Sequence, residues 1–562
     1  MKLNQFLESG SQRKILWCVA TLILIVIFGQ RLWLLETRFF DHDEFEHMHV
    51  AWLISKGQLP YIDFFEHHTP AMHLLLSPIF DFFEADTDPT DAQAVLIHAR
   101  RIMWILSGLV LALTFWLGRT WDQWRIGLVG TVFLCCTLMF QEKTLEIRPD
   151  LLSLPCWLGC LILLLKAIQP NSWSENKKKW MMALCGFLLG TSIMATQKML
   201  FAMPGFTLAM FFYWFSPQSP GTFQQRFILI LCQFFGFLAP IFIMLGYFQL
   251  HNPAGAYTFI HYNLLLNLGW EAGFSPEEFI NLLLFQNPYI VGFGLAGLLW
   301  SIYNLMSPDS IKRGDYIMVI NLIGLIVGLF IIPVPWKQYY LIFLPLLGLF
   351  AARFILDMFN HLLRINPIDT FKKKGFLAKC GLFILLSGVI LAWTLPETGK
   401  IGIGAIMNKI IILGVVSSSL LFVYFRRIDL AIVMVIIGVH IPLVKKLKYP
   451  YERSNLEQLA AIRYVIQNSP PDATVMDGWL GIGVFRPHAY FYWMLHEEIR
   501  EVLSESQKQR LLEDLRSGEI RPYFINLDYD LTDLSPEITR FILKHYQPVG
   551  VSTLHIRKSK SG

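Results

Sequence analysis

The sequence predicts a polytopic α-helical membrane protein with a small α/β domain in its last part. Of its 562 residues, 54% are hydrophobic and only 16% are charged, and the mean hydropathy is +0.47. A soluble protein of this length needs more charge to cover its surface. Apolar runs long enough to cross a bilayer recur through residues 1–449, and a different pattern begins at position 450.

Thirteen apolar runs approach or reach the roughly 17–25 residues that cross a bilayer as a helix. They lie at residues 15–35, 102–117, 126–140, 151–168, 180–196, 199–215, 227–250, 289–306, 316–333, 339–358, 376–395, 410–425 and 428–444. No small-residue cleavage site follows the first run, so we expect it to be retained as a helix. An odd number of spans places the two termini on opposite sides.

Lysine and arginine mark every second loop. They stand at Lys2, Arg13, Lys14, Arg119, Arg125, Lys177, Lys178, Lys179, Arg226, Lys312, Arg313, Lys372, Lys373, Lys374, Arg426 and Arg427. Because cytoplasmic loops carry an excess of these residues, the N-terminus is predicted to be cytoplasmic. Segments 37–98 and 251–288 and everything after position 445 are then extracytoplasmic.

Residues 450–562 read as a small extracytoplasmic α/β domain beside a transmembrane domain of residues 1–449. Helical patterns at 455–467 and 504–517 alternate with strand-like runs at 474–476, 523–527 and 549–556. The length of about 110 residues suits one domain. The small net charge of +5 is consistent with a lipid bilayer environment, and we expect no nucleic-acid partner.

The candidate functional site is the outer segment 37–98. Residues 41–49 hold four carboxylates and three histidines, and the whole segment has eleven acidic residues against Arg38 and Lys56. Ionisable groups at a membrane face are costly unless they are used. Residues 44–56 are predicted to form an amphipathic helix that rests in the interface and ends at Gly57.

Carboxylates at the start of this helix would lie at the depth of lipid headgroups. There Asp43 or Glu44 could deprotonate a hydroxyl that attacks a lipid-linked sugar, a role typically worth 10² to 10⁴-fold in rate. A phosphate leaving group needs cations to stabilise its developing charge. The candidate cations at outer helix ends or in the acidic loop are Arg148, Lys198, Lys337, His67 and His68.

The motifs of these segments resemble those of membrane glycosyltransferases of the GT-C type, which use polyprenyl-phosphate sugars. Asp43-Glu44, the run Gly-Gln-Leu-Pro-Tyr-Ile-Asp-Phe at 57–64 and His-His-Thr-Pro at 67–70 resemble the first outer loop of the protein mannosyltransferase-like and lipid A aminoarabinose transferase-like families. Arg148-Pro149-Asp150 resembles their second acidic position, and Lys337-Gln338-Tyr339-Tyr340 resembles a later motif at an outer helix end.

The resemblance implies a GT-C-like fold in a bacterial inner membrane and a transfer from a polyprenyl-phosphate donor to a hydroxyl of a glycan, glycolipid or protein. Asp43 is then the catalytic base, and Glu44 and Asp150 position a substrate. Basic groups and Tyr339 hold the lipid phosphate. His67 and His68 stand where the aminoarabinose enzyme has a lysine, and Asp41 is an additional acid, which leaves the donor sugar and the assignment of the base open.

Other interpretations compete with these roles. Asp150 after Pro149 is also ordinary helix-start chemistry, and a lone lysine at an interface often only snorkels. Asp43, Glu44 and His47 could instead hold a divalent cation, although no fixed ligand spacing supports a required cofactor. A transporter, or a ligase or polymerase that moves a whole oligosaccharide, would also place ionisable groups near a membrane.

Overall fold

The computed structural model describes residues 2–169, 173–215, 221–266, 287–306, 313–330, 336–364, 419, 427–446, 453–551 and 553–558. Twenty α-helices are present in these ranges. Those before the C-terminal region are α1 (Lys2–Thr37), α2 (His42–Ser55), α3 (Ala71–Leu76), α4 (Pro89–Trp121), α5 (Trp124–Cys135), α6 (Leu138–Lys143), α7 (Asp150–Ile168), α8 (Glu175–Ala195), α9 (Met203–Phe215), α10 (Phe223–His251), α11 (Gly255–Ile260), α12 (Pro288–Leu305), α13 (Arg313–Leu329), α14 (Leu344–Arg364) and α15 (Ile428–Lys446).

Several of these helices are long and apolar enough to cross a membrane. Among the described residues, five such segments are Arg13–Thr37, Pro89–Trp121, Asp150–Ile168, Gln197–Phe215 and Phe223–His251. The shorter apolar helices α5, α12, α13 and α15 stand beside them. The protein is therefore a multi-pass membrane protein. The predicted spans 376–395 and 410–425 lie outside the described residues, apart from Ser419, so the count of thirteen stays a prediction.

The prediction of one helix over 126–140 is wrong. Helix α5 ends at Cys135, Thr137 is extended, and α6 begins at Leu138. The break leaves backbone N–H and carbonyl groups without helical partners, and side chains form hydrogen bonds with them, since a membrane offers no water to do so. The Asn287 Oδ1 accepts a hydrogen bond from the Met139 N–H at 3.2 Å, and the Gln141 side chain donates to the Cys135 carbonyl.

The C-terminal region forms a four-stranded mixed sheet with helices around it. Its helices are α16 (Leu456–Asn468), α17 (Glu497–Val502), α18 (Glu505–Ser517), α19 (Tyr529–Leu534) and α20 (Pro536–His545), and its strands are β1 (Val475–Asp477), β2 (Phe524–Asn526), β3 (Tyr546–Pro548) and β4 (Leu554–Arg557). The strand order is β1-β2-β4-β3, with β1 parallel to β2 and the other pairs antiparallel. The division of the chain at 449/450 stays a prediction.

The predicted strand over 549–556 is the turn and the second strand of a hairpin whose first strand is β3. Its turn contains Gly550 at φ +77°, a conformation that glycine adopts without steric cost, and the chain then returns as β4. The alternating apolar residues of this run therefore belong to two short segments rather than to one strand.

Helix α2 is not the one-sided amphipathic helix that its sequence predicts. All ten residues from Glu44 to Leu53 are buried. One side packs in a hydrophobic core shared with α4 and with Ile462 and Phe485 of the C-terminal region. Because residues from both ends of the chain cover α2, its polar positions are enclosed rather than facing water.

Helix α4 begins beside α2, where Arg100 pairs with Glu44, and it ends at Trp121 beside a second group of charged residues. At the end opposite α2, Arg353 pairs with Asp315 at 2.6 Å, and Asp315 also accepts a hydrogen bond from Trp121. Arg125 pairs with Asp429 at 2.8 Å at the same end. These contacts join α4, α13 and α14 to one another and α5 to α15.

Candidate functional site

Asp43 is held in the first turn of α2 by a cation from another part of the chain. Its Oδ2 lies 2.6 Å from Nη1 of Arg148, and its side chain is 19% exposed. Burial raises the pKa of Asp43, but the charges of Arg148 and Lys143 outweigh it and hold the pKa below the ordinary value. The carboxylate is therefore ionised, oriented and still accessible.

A buried carboxylate, Glu146, organises the cations around Asp43. It lies 2.9 Å from both Arg38 and Lys143 and also accepts from Arg148 Nε. Burial opposes its ionisation, yet the neighbouring positive charges hold the pKa of Glu146 well below its usual range. Arg148 is thus shared among Asp43, Glu146 and Asp41, the last at 3.3 Å, and this network fixes the guanidinium beside Asp43.

Glu44 points away from Asp43 into the protein. Its Oε1 lies 2.6 Å from Nη2 of Arg100 and its Oε2 lies 2.8 Å from Nε, and both side chains are fully buried. The Oε1 also accepts from the Asp41 N–H at 2.9 Å, which completes a capping box at the start of α2. Glu44 and Arg100 therefore fasten α2 to α4.

Asp150 and Lys198 meet at a cleft between α7, the 3₁₀ helix Gln197–Ala202 and the 3₁₀ helix Lys337–Ile342. The Lys198 Nζ lies 3.5 Å from the Asp150 Oδ2 and 4.4 Å from the centre of the Tyr339 ring. The cleft is narrow and opens to the protein surface. Its other lining residues are mostly apolar, and they are Ser153, Leu154, Thr196, Met199, Phe201, Leu325, Leu341, Ile342 and Phe343.

The cleft lies next to the carboxylate of α2. The charge of Lys198 interacts with Asp43 and Arg148 as well as with Asp150. The structure thus brings together Asp43, Arg148, Asp150, Lys198 and Tyr339, which the sequence places in four separate segments. The side chain of Lys337 lies outside the described residues.

His67 and His68 lie in the segment between α2 and α3, among acids. The His68 Nδ1 lies 2.9 Å from Glu66 and 3.2 Å from Glu46. Burial lowers the pKa of His68, but the two carboxylates outweigh it and raise that pKa to about 9. Burial and the positive charge of His68 lower the pKa of His67 well below its usual range.

The residues predicted as metal ligands do not form a ligand set. Asp43 contacts Arg148, Glu44 contacts Arg100, and His47 Nδ1 lies 3.1 Å from Nε2 of His73. Within the described part of the chain, one group could hold an ion, and it consists of Glu46, Glu66, His67 and His68. One part of this group could have been noticed in the sequence, because Glu46 lies one helical turn after Asp43 in the same acidic stretch.

The C-terminal region covers the other side of α2. The Trp479 carbonyl lies 3.3 Å from the Nδ1 of His42, and the His49 ring bonds to the Val484 carbonyl at 2.8 Å and to His488 at 2.9 Å. A narrow cavity remains at this contact. It is lined by Phe45, Glu46, His49, Val475, Asp477, Trp479, Gly481, Gly483, Val484, Arg486, His488 and Trp493.

Sequence reasoning did not find Glu146, Lys143 and Arg100. A pattern was available for one part of the arrangement, since Asp41 and Glu44 have the Asp-x-x-Glu spacing of a capping box. Lys143 and Glu146 also have an i, i+3 spacing. Nothing in the sequence indicated that Arg100, 56 positions later, would pair with Glu44.

Comparison with known proteins shows a likeness of fold across nearly the whole chain. No protein-family model and no curated protein matches the sequence. The crystal structure of ArnT from Cupriavidus metallidurans bound to undecaprenyl phosphate is similar with a TM-score of 0.61 at 12% identity, and the match covers 98% of this chain and 99% of that one.

An archaeal oligosaccharyltransferase is similar as well. The apo structure from Archaeoglobus fulgidus has a TM-score of 0.56 at 12% identity, covering 95% of this chain and 72% of that one. The same organism's oligosaccharyltransferase AglB, in complex with an inhibitory peptide and a dolichol-phosphate, has a TM-score of 0.52 at 11% identity, covering 98% and 74%. The chain therefore has the GT-C-type fold of these membrane glycosyltransferases, which confirms the fold class that its sequence predicts.

Proposed function

We propose that this protein is a membrane glycosyltransferase that moves a sugar from a polyprenyl-phosphate donor to a hydroxyl of a glycan, glycolipid or protein on the outer face of the bacterial inner membrane. The observation that carries the proposal is the pairing of an ionised, accessible Asp43 with an adjacent cleft that combines Lys198, Asp150 and an apolar wall. The likeness to ArnT, solved with undecaprenyl phosphate, supports the class of donor.

Asp43 acts as the general base in this proposal. A carboxylate with a depressed pKa is a weak base. It therefore accepts the proton late in the displacement, because the attacking hydroxyl becomes acidic only once its oxygen has begun to bond to the sugar. Arg148 holds the carboxylate in position and keeps it ionised. Because phosphate is a good leaving group, one displacement without an acid catalyst suffices, and a single displacement inverts the anomeric centre.

The cleft at Lys198 binds the donor in this proposal. Lys198 and Tyr339 contact the lipid phosphate, and Asp150 orients the lysine at 3.5 Å. The ammonium group of a partly buried lysine attracts a phosphate more strongly than a fully solvated ammonium group does, because the surrounding dielectric constant is lower. Helix α9 follows the 3₁₀ helix Gln197–Ala202 in the chain. Its apolar side chains Met203, Leu208 and Phe211 line an open groove that suits a polyprenyl tail.

The acceptor approaches Asp43 from the side of the C-terminal region. Trp479 contacts His42, the neighbour of Asp43, with ring centres 5.3 Å apart. Aromatic side chains such as Trp479 and Trp493 offer flat apolar faces for sugar rings or aromatic acceptors. We expect the identity of the acceptor to depend on the residues that line this contact.

Substitution of Asp43 tests the proposal. Asp43→Asn removes the base but keeps the size of the side chain, so we expect transfer to fall by about 10² to 10⁴-fold with expression and membrane insertion unchanged. Transfer is measured in vesicles from a polyprenyl-phosphate sugar pool, with mass spectrometry of the products. Asp81→Asn, an exposed acid of the same outer segment, is the matched control and should keep full activity.

The same measurement separates the alternatives. Normal turnover by Asp43→Asn would remove the central assignment. A mass increment of several sugars in one transfer would indicate an oligosaccharide ligase or polymerase. Accumulation of a solute in sealed vesicles without a new glycosidic bond would indicate a transporter.

A further inference from the structure

Two carboxylates and two imidazoles converge beside α2 without a role in the proposed transfer. They belong to Glu46 on α2 and to Glu66, His67 and His68 in the segment between α2 and α3. One ligand atom from each lies within 4.8 Å of the others. We propose that these four residues bind a single divalent ion of the zinc class.

The distances leave little rearrangement for binding. The His68 Nδ1 already lies 2.9 Å from Oε1 of Glu66 and 3.2 Å from Oε1 of Glu46, and the His67 Nδ1 lies 3.8 Å from the same Glu66 oxygen. Ligand atoms around a tetrahedral zinc ion, each about 2.0–2.2 Å from the metal, are separated by comparable distances. Small side-chain rotations are therefore enough to enclose an ion.

The donor set and its burial favour a metal. Glu46 is 3% exposed and Glu66 is fully buried, so two carboxyl groups are enclosed in a small volume. The second oxygen of Glu66, Oε2, has no hydrogen-bond partner within the part of the chain that the structure describes. A divalent ion balances the charge of both carboxylates and coordinates such oxygens. Imidazole ligands favour zinc over magnesium or calcium, which prefer sites made entirely of oxygen.

The ion would fasten the outer segment to α2 next to Asp43. Glu46 follows Asp43 by three positions and so lies on a neighbouring face of the same helix. The Gln197 side chain donates to the His67 carbonyl at 2.8 Å, which connects this segment to the 3₁₀ helix that carries Lys198. A metal here supports the geometry of both sides of the site, and the assignment holds whichever reaction the protein catalyses.

Metal content of the purified full-length protein tests the proposal. Protein in detergent is treated with chelator, titrated with Zn²⁺ alone and analysed by elemental mass spectrometry, with the melting temperature recorded in parallel. We expect one zinc per chain and a higher melting temperature with zinc. Glu46→Gln and His68→Gln should each lower the bound zinc by tenfold or more at a limiting zinc concentration.

A matched variant guards against general loss of structure. His47→Asn changes a buried histidine on the same helix that lies outside the four residues, and it should bind one zinc as the unaltered protein does. Absence of zinc binding by the unaltered protein would overturn the proposal, leaving His68 as a protonated bridge between the two carboxylates. Equal loss of zinc in His47→Asn and in the two ligand variants would overturn it as well. Activity is not the readout, so the result is independent of the Asp43 test.

Discussion

At the scale of single residues, Arg148 sets the charge state of the proposed base. It contacts Asp43, Asp41 and Glu146, of which only Glu146 is fully buried. We predicted it as a phosphate ligand, and that role stays a prediction. Its geometry favours a different one, because a guanidinium shared among three carboxylates has little charge left for a fourth anion. Arg148 is better described as a positioning residue.

Loss of Arg148 should change the pH dependence of transfer. The pKa of Asp43 is depressed, so the carboxylate remains ionised as pH falls and activity is lost only when pH passes through that depressed pKa. In Arg148→Gln the burial of Asp43 remains while its main counter-charge is gone. The acidic limb of the kcat/KM profile should therefore shift to higher pH by roughly one unit or more. A pH–rate profile measures this shift.

The control for this profile is Arg101→Gln. Arg101 pairs with Glu36 at the surface, where its side chain is 46% exposed. Its removal should leave the acidic limb in place. An unchanged limb in Arg148→Gln would show that Arg148 does not tune Asp43.

At the scale of elements, α2 is fixed at its first turn by two devices. Asp41 and Glu44 form a capping box, and Glu44 makes a bidentate pair with Arg100 of α4. The Arg100 guanidinium also donates to the carbonyls of Leu35, Arg38 and Phe39, which fixes the chain between α1 and α2. Glu44 therefore acts mainly as a structural anchor between α2, α4 and the chain that follows α1.

Glu44→Gln separates a structural role from a catalytic one. Removing one partner of a fully buried ion pair costs about 3–5 kcal/mol, so the melting temperature should fall while the activity of each folded molecule changes little. Glu36→Gln, which breaks an exposed pair with Arg101, should have no measurable effect on stability. A Glu44→Gln enzyme that is fully stable but inactive would instead support the catalytic role that the sequence suggests.

At the scale of the whole molecule, the C-terminal region is part of the site rather than an appendage. Gly481 has φ +76°, and a Cβ at this position would lie 2.3 Å from the Cβ of Phe45 on α2. The backbone of the C-terminal region thus rests directly on the helix that carries Asp43. Trp493 adds a hydrogen bond to the Phe65 carbonyl at 2.9 Å.

Gly481→Ala should disturb this contact. It combines the cost of a left-handed backbone, about 1–2 kcal/mol for an L-residue, with a steric overlap against α2. We expect a lower melting temperature, faster proteolytic release of the C-terminal fragment and reduced transfer. Gly550→Ala imposes the same backbone cost at φ +77°, with nothing within 4 Å. Equal effects of the two substitutions would contradict a tight contact at Gly481.

The fold class and the grouping of charged residues were predictable, whereas the fine division of roles was not. Hydrophobicity identifies the long helices, and the alternation of basic loops assigns each helix end to one side of the membrane. Asp43, Asp150 and Lys198 could therefore be expected on the same side. Whether an acid faces a substrate or a buried arginine depends on a partner far along the chain, as Glu44 shows. The burial of α2 on all sides could not be read from its own sequence, because the covering residues come from beyond position 450.

The enclosure of α2 also constrains how the protein is made. His49 finds its partner His488 only 439 positions later. During synthesis the segment with the proposed base therefore emerges early, and its acids and histidines stay uncovered until the last hundred residues have been made. We expect a chain that stops short of position 480 to leave this helix exposed and to be cleaved by proteases faster than the full chain.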